Sequence, residues 1–328
     1  MKYIIVGDMH AKLGKLKDIE LAFNEIVQLY YDHKCDNIII LGDLLDNKAI
    51  VRSECLNFFF DYFKKSEISW RLLIGNHDYH NSKTCEDYSI RPLTKLKNVK
   101  IDKAFMIDKY CFLSYDNPDK TLQLIYECPD NSYLFLHQDI EGFTYSSGKE
   151  IISPLQMKHL KKFKRVFNGH IHKPAEKGNV IIVGSLMTEN FGESGEEKRV
   201  CILNTDTDEI QFVKLKTIPT HWSFTFKFHN LKDVRDVVLP PFNSNDQLQI
   251  IVEIPTELSN KINKNLFNFP QLVSFKKKII TTKKDIRINE TLNKIDMMEV
   301  YINSIQTDLD KKELLELNRK IMEKINAD

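Results

Sequence analysis

The chain has 328 residues, of which 42% are hydrophobic and 28% charged, a balance typical of a folded globular protein. The formal net charge is only +1, which excludes attraction of nucleic acid by the field of the whole molecule, so any basic surface must be local. Apolar runs fall short of the roughly 20 residues that a membrane span needs, and the N-terminal run is too short for a secretory signal. We therefore expect a cytoplasmic protein that does not bind membranes.

The N-terminal part of the chain repeats one pattern, in which a short apolar run ends in a turn with metal-binding types of side chain. The runs and turns are 3–6 before Asp8 and His10, 37–41 before Asp43, 71–74 before Asn76 and His77, 133–136 before His137, and 165–167 before His170 and His172. Such runs predict strands that are buried on both faces of a sheet.

Two helices are predicted between the first three runs. Apolar residues recur there at helical spacing: Ile19, Phe23, Ile26 and Tyr30, then Leu56, Phe59, Phe60 and Phe63. The order strand, helix, strand predicts an α/β protein with parallel pairing and right-handed crossovers. Ligands bind at the carboxyl ends of such strands, where the polar turns lie. The turns should therefore converge.

The rest of the chain predicts three further pieces of structure. Residues 199–216 resemble a hairpin that closes the first domain. Strands at 224–228, 247–252 and 273–280, with helices at 232–238 and 256–267 between them, predict a small α+β module. After residue 289, two apolar faces predict a C-terminal helical hairpin, formed by Leu292, Ile295, Met298 and Ile302 and by Leu314, Leu317, Ile321 and Ile325. The predicted domains are 1–216, 217–288 and 289–328.

The polar turns contain the residue types that phosphodiester hydrolysis by two divalent ions requires. Two ions about 3.5–4 Å apart neutralise the phosphate, lower the pKa of a bound water and align the attacking and leaving oxygens. Asp8 and His10 can reach one ion from one strand end, and Asp43 is suited to bridge the pair. Asn76 offers a neutral oxygen, and His137, His170 and His172 complete both ligand shells.

The five motifs in this order resemble the calcineurin-like metallophosphoesterase superfamily over about residues 1–200. They are Asp-x-His, Gly-Asp-x-x-Asp, Gly-Asn-His-Asp, a strand-end His and Gly-His-x-His. The resemblance implies a β-sandwich flanked by helices, with a small capping domain and the C-terminal helices. It implies one ion on Asp8, His10, Asp43 and His172, and the other on Asp43, Asn76, His137 and His170. It makes His77 a catalytic, non-ligand histidine and Asp46 the carboxylate that orients it.

Two departures favour the SbcD-type DNA-repair nucleases over the protein phosphatases. Asp46 is followed by Asn47 and Lys48 instead of Arg-Gly, and the third motif ends in Asp78 instead of Glu. The stretches 184–186 and 191–193 also resemble that branch, although Leu186 replaces its proline. Length, the compact capping region and the C-terminal helices further resemble the small recombination-endonuclease subunits of large bacteriophages, which would place the protein in the host cytoplasm.

The resemblance implies a two-metal DNA exonuclease or endonuclease that acts on duplex ends in recombination and repair. Manganese is the preferred ion and magnesium the alternative. The expected partners are DNA and an SMC-like ATPase subunit of the SbcC type, joined to a homodimer of this chain in a heterotetramer. Because the sequence has no Gly-x-x-x-x-Gly-Lys-Ser/Thr loop, ATP dependence must come from that separate subunit.

Two other functions remain open at this point. The chain could be a phosphodiesterase for small or cyclic nucleotides, although such a substrate requires neither a capping unit nor C-terminal helices. It could also be mainly a DNA-binding scaffold of an ATPase complex, although a vestigial site should have lost a ligand. The basic stretches at 158–165 and 276–278 either contact DNA phosphates or form solvated faces, so the DNA-contacting residues stay unassigned.

Overall fold

The structure is a computed structural model that describes residues 1–48, 50–234, 237–280, 302 and 310–325. Residues 1–226, 237–252 and 264–276 form one compact unit. The described parts of 227–236, 253–263 and 277–328 form a second. The predicted division at 1–216, 217–288 and 289–328 stays a prediction.

The regular elements follow one another in the order that the apolar runs predict. The strands are β1 (Lys2–Val6), β2 (Asn37–Ile40), β3 (Trp70–Leu72), β4 (Val99–Ile101), β5 (Ala104–Ile107), β6 (Tyr110–Leu113), β7 (Tyr133–Leu136), β8 (Arg165–Asn168), β9 (Ala175–Lys177), β10 (Val180–Ile182), β11 (Arg199–Asn204), β12 (Glu209–Lys214), β13 (His221–Lys227), β14 (Gln247–Ile254) and β15 (Leu272–Ile279). The α-helices are α1 (Leu16–Asp32), α2 (Ser53–Lys65), α3 (Pro118–Glu127), α4 (Met157–Leu160) and α5 (Lys311–Ile325).

Two six-stranded sheets make up most of the first unit. Their strand orders are β12-β11-β1-β2-β3-β4 and β5-β6-β7-β8-β10-β9. Strands β1 to β4 pair in parallel, as do β6, β7 and β8, whereas β11 pairs antiparallel with both β1 and β12. The predicted parallel crossovers and the predicted closing hairpin are therefore confirmed.

The sheets pack face to face through alternate residues of their strands. Tyr3 and Ile5 of β1 share a buried cluster with Phe112, Phe135 and Phe167 of the other sheet, whereas Ile4 and Val6 belong to a cluster on the opposite face. The phenylalanine rings stack across neighbouring strands, with centroids 4.7 and 5.6 Å apart. This alternation is the reason the apolar runs are continuous, because both faces of each strand are covered.

The outer face of each sheet is covered by helices. The cluster on the first sheet includes Ile19 and Phe23 of α1 and Phe59 and Phe63 of α2. The cluster on the second sheet includes Ile125 of α3 and residues of α4. The predicted β-sandwich flanked by helices is confirmed.

Among the described residues between 217 and 280, the predicted strands are present but the predicted α-helices are not. Strands β13, β14 and β15 form a three-stranded sheet. The α-helix predicted at 232–238 is absent from its described residues, where Asp233 and Asn230 bind nearby main-chain N–H groups instead. Residues 256–267 form two 3₁₀ turns, Thr256–Leu258 and Lys264–Leu266, in a stretch with three Asn residues, whose side chains compete with helical hydrogen bonds.

The C-terminal helical hairpin is described only in part. Its second helix is present as α5, Lys311–Ile325. The first, predicted from Leu292, Ile295 and Met298, lies outside the described residues, so the hairpin stays a prediction. Among the helices that the structure describes, none has the length and apolar character to cross a membrane.

Candidate metal centre

The five polar turns meet at the carboxyl-end edge of the strands that precede them. Three groups of side chains have ligand atoms within 4.8 Å of one another: Asp8, His10 and His172; His10, Asp43 and His77; and Asp43, His137 and His170. We call Asp8, His10 and His172 the first ligand set. We call Asn76, His137 and His170 the second ligand set, and Asp43 lies between the two. All seven predicted ligands are therefore brought together.

The first ligand set converges on the imidazole of His10. Its Nε2 lies 2.9 Å from His172 Nε2 and 3.7 Å from Asp43 Oδ2. His172 Nε2 lies 3.8 Å from Asp8 Oδ2. Two ring nitrogens and two carboxylate oxygens thus surround one point.

The second ligand set converges on the amide oxygen of Asn76. This oxygen lies 2.9 Å from His170 Nδ1 and 3.1 Å from His137 Nε2. His137 Nε2 also lies 3.5 Å from Asp43 Oδ2, the oxygen that faces His10. One carboxylate oxygen therefore serves both sets, which is the position of a bridging ligand.

Local backbone geometry aims these side chains. His10, Asp43 and His170 have φ angles of 46°, 48° and 68°, in the left-handed region that non-glycine residues rarely adopt. Such conformations concentrate at functional sites, where the surrounding structure holds them. Gly75 is required for another reason: a Cβ there would lie 2.1 Å from Asp43 Oδ1.

The donor set fits divalent cations. Asp8 Oδ2 is buried, and no described residue provides it with a hydrogen bond. A buried carboxylate oxygen without a partner is costly unless a cation neutralises it. Mixed carboxylate, imidazole and amide donors suit ions such as manganese better than an ion that prefers only oxygen.

Burial and mutual charge set the protonation of the centre. Burial lowers the pKa of His10 to about 3. Burial alone would lower the pKa of His137, but the carboxylates of Asp43 and Asp8 outweigh it and raise that pKa to about 9. Burial also raises the pKa of Asp8, whereas the neighbouring histidines, His137 first, hold the pKa of Asp43 below its usual range despite burial.

His77 is held by the turn that carries Asp46. The ring Nδ1 of His77 donates to the main-chain carbonyl of Asp46 at 2.6 Å. The main-chain N–H of His77 donates to Asp43 Oδ1 at 2.7 Å. The resemblance assigned the orienting contact to the Asp46 carboxylate, but that group faces Lys12 Nζ at 3.4 Å and His10 Nδ1 at 3.8 Å. Asp46 thus lies beside His77 as expected, but its main-chain oxygen and not its carboxylate contacts the His77 ring.

Two carboxylates outside the predicted set hold the Gly-His-x-His pair. Glu193 Oε1 accepts from His172 Nδ1 at 3.0 Å, and its Oε2 accepts from the buried Lys198 ammonium at 2.8 Å. Burial would raise the pKa of Glu193, but these partners lower it to about 2. Asp139 Oδ1 lies 3.1 Å from His170 Nε2. Sequence reasoning missed both roles, although 191–193 had been singled out by its resemblance.

Asp78, which ends the third motif, braces two of the turns. Its carboxylate accepts main-chain N–H groups from Leu44, Leu45 and Gly75, at 3.3, 3.1 and 2.9 Å. These bonds tie the turn of Asp43 to the turn of Asn76. Burial, with the nearby charge of Asp43, raises the pKa of Asp78 to about 7.

Part of the basic stretch 158–165 is engaged within the protein. Lys162 Nζ donates to the carbonyl of Tyr126 at 3.1 Å, near the end of α3. Arg165 donates to Asp208 Oδ2 at 3.0 Å. Lys162 and Arg165 of this stretch therefore have a structural role.

Turns that gather carboxylates, imidazoles and an amide at one edge of a sandwich define a metal-dependent hydrolase of phosphate esters. Residues 1–174 match the calcineurin-like phosphoesterase family, and the chain belongs to that family. The predicted family, and with it a metal-dependent phosphoesterase, is confirmed.

Several known proteins are similar to this chain. Exonuclease subunit 1 of Enterobacteria phage T4 is 24% identical over 326 residues, which cover 94% of this chain and 90% of that protein. Putative phosphoesterase 078R of Invertebrate iridescent virus 3 is 27% identical over 210 residues, which cover 59% of each chain. The solved structures of an archaeal phosphodiesterase and of the phosphoesterase YfcE from E. coli are 16% and 14% identical, with TM-scores of 0.37 and 0.31; each match covers 66% of this chain and 100% of the other.

Proposed function

We propose that this protein is a two-metal DNA nuclease. The observation that carries the proposal is the extent of its similarity to a phage exonuclease subunit, which reaches 94% of the chain. The family match ends at residue 174, so this similarity also includes the region that follows the phosphoesterase motifs. A phosphodiesterase for small nucleotides would not require that region to be shared with an exonuclease subunit.

The geometry supports a site for two ions rather than one. The first ligand set, with Asp43, would hold one ion, and the second ligand set, again with Asp43, would hold the other. Divalent ions held there would neutralise the phosphate and supply a nucleophilic water. We take manganese as the preferred ion and magnesium as the alternative.

His77 would protonate the leaving oxygen. Its Nδ1 proton is directed to the Asp46 carbonyl, so His77 can give a proton to the leaving oxygen only from Nε2 of its doubly protonated imidazolium form. The short contact fixes the ring orientation and keeps the Nδ1 proton in place. The nearby His10 ring is edge-on, with centroids 4.7 Å apart, so the ring plane is constrained on that side as well.

We also propose that the chain works as a subunit beside an SMC-like ATPase of the SbcC type, in a heterotetramer with a homodimer of this chain. The relative's own name is that of a subunit. Leu317 on α5 is 55% exposed, as a partner-binding apolar position would be. Purification of the two subunits together should retain the ATPase, and deletion of 310–328 should abolish that retention.

The experiment is manganese-dependent degradation of linear duplex DNA by the purified chain, with His77→Ser as the matched variant. We expect degradation by the wild type, a loss of at least about 100-fold in the variant, and unchanged manganese binding in both. Loss of manganese from the variant would instead make His77 a ligand, a role that its grouping with His10 and Asp43 allows. Hydrolysis of a small phosphodiester without DNA degradation, even with the ATPase present, would refute the nuclease.

A further inference from the structure

When its oxygen is turned inward to ligate an ion, the Asn76 amide meets groups of its own polarity at both ends. Its oxygen lies near two imidazole nitrogens, of His170 and His137, and 3.2 Å from Asp43 Oδ2. Its nitrogen lies 3.1 Å from Lys48 Nζ. The inner end thus places the amide oxygen against the Asp43 carboxylate oxygen, both of them acceptors, and the outer end places a donor against a donor. A cation bound between the two acceptors would make the first contact favourable, and an anion bound between the two donors would do the same for the second.

Rotating the amide by half a turn exchanges its two ends. The two N–H groups would then face Asp43 Oδ2, His137 Nε2 and His170 Nδ1, and the oxygen would accept from Lys48 at 3.1 Å. The two orientations therefore have different consequences for Lys48. Its ammonium is occupied when the amide oxygen faces outward, and it is available to another acceptor when the oxygen turns inward to ligate an ion.

We propose that Lys48 is a substrate-binding residue of this site. With the Asn76 amide nitrogen, its ammonium donates to a non-bridging oxygen of the phosphate that is cleaved. This assignment rests on the proposed hydrolysis of phosphate esters. It fits the position of Lys48 in the chain, two residues after Asp46, whose carbonyl holds His77. One turn would then supply both the phosphate donor and the support of the residue that protonates the leaving oxygen.

The amide also links Lys48 to the ion. With the amide oxygen outward, Lys48 competes with the ion for that oxygen. Removing the ammonium should therefore leave ion binding unchanged or make it tighter, while phosphate binding weakens. A residue that merely supported the turn would affect both ligands in the same direction.

The test uses the full chain and two titrations by isothermal calorimetry. Manganese is titrated into the metal-free protein, and inorganic phosphate is then titrated into the manganese-loaded protein. The variants are Lys48→Met, Lys48→Arg as the conservative replacement, and Lys64→Met as a matched control on the exposed end of α2. For Lys48→Met we expect phosphate affinity to fall roughly 10- to 100-fold, the range for a charge-assisted hydrogen bond, with manganese affinity equal or higher. Lys48→Arg should recover most of the phosphate affinity, and Lys64→Met should match the wild type.

Three results with the variants would overturn the assignment. They are a phosphate affinity of Lys48→Met within about twofold of the wild type, an equal loss in Lys64→Met, and loss of manganese from Lys48→Met. Wild-type protein that binds manganese but no phosphate would refute it as well. DNA cleavage plays no part in these titrations. A protein that binds phosphate through Lys48 but cuts no DNA would therefore refute only the proposed nuclease.

Discussion

The two ligand sets of the metal centre are supported in different ways. In the second set, His137 has a fully buried side chain, and its Nδ1 donates to the main-chain carbonyl of Leu41 at 2.6 Å. In the first set, the side chain of His172 is 28% exposed, and it depends on the Glu193 carboxylate. A main-chain carbonyl survives any substitution at its residue, whereas a carboxylate can be removed. A substitution can therefore remove the support of His172 but not that of His137, although His170 of the second set also has a carboxylate neighbour, Asp139.

Removing the Asp43 carboxylate should have the largest effect on metal binding, because both ligand sets depend on it. Asp43→Asn replaces the one carboxylate oxygen that faces both His10 and His137. We expect both ions and all hydrolysis to be lost, measured as manganese stoichiometry by calorimetry. Asp61→Asn, on the exposed surface of α2, is the control. Wild-type occupancy in Asp43→Asn would show that Asp43 is not the bridge.

Gly75→Ala should displace the bridging residue Asp43 while leaving its carboxylate in the protein. The added Cβ would lie 2.1 Å from Asp43 Oδ1 and 2.2 Å from Asp43 N, so the turn must move. We expect a loss of about 1–3 kcal/mol in the free energy of unfolding, together with weaker binding of both ions. Gly14→Ala is the matched control, because a Cβ there has no neighbour within 4 Å. If the two alanine variants unfold and bind manganese alike, the close approach at Gly75 is unimportant.

Glu193→Gln should have the smallest and most selective effect. The substitution removes the negative charge of the carboxylate that accepts from His172 Nδ1 and from Lys198 Nζ. The main-chain carbonyl that supports His137 is unchanged. We expect one ion to bind roughly 10- to 100-fold more weakly and the other to bind as in the wild type. Glu196→Gln is the control, because Glu196 contacts Lys198 at 3.0 Å but not His172. Equal weakening of both ions would contradict the separate support of the two sets.

Sequence alone could predict the metal-binding side chains of this site but not all of the groups that support them. Asp8, Asp43 and His137 were found because each lies within two residues of the end of an apolar run, and parallel strands bring such positions to one edge. Glu193 could not be found in the same way. It lies in a short 3₁₀ turn, Phe191–Glu193, whose position depends on tertiary packing and not on periodicity. Sequence patterns of side chains also do not show a support such as the Leu41 carbonyl, because any residue would provide it.

Outside the site, the same reasoning explains which elements were predicted correctly. Helices α1 and α2 were predicted because a repeated apolar face packs on a sheet, as Phe23 and Phe59 do. The helix predicted at 232–238 is absent from the described residues there because polar side chains bind the nearby main chain, as Asp233 does with the His229 N–H at 2.7 Å. Local hydrogen bonds of this kind override a weak apolar pattern.

The central claim is that one centre holds two ions that share Asp43. The most direct test is a crystal structure of the manganese-loaded protein with anomalous scattering from the metal. We expect two peaks about 3.5–4 Å apart, one beside the first ligand set and one beside the second, with the Asp43 carboxylate between them. A single peak at saturating manganese, or two peaks that Asp43 does not join, would contradict the claim.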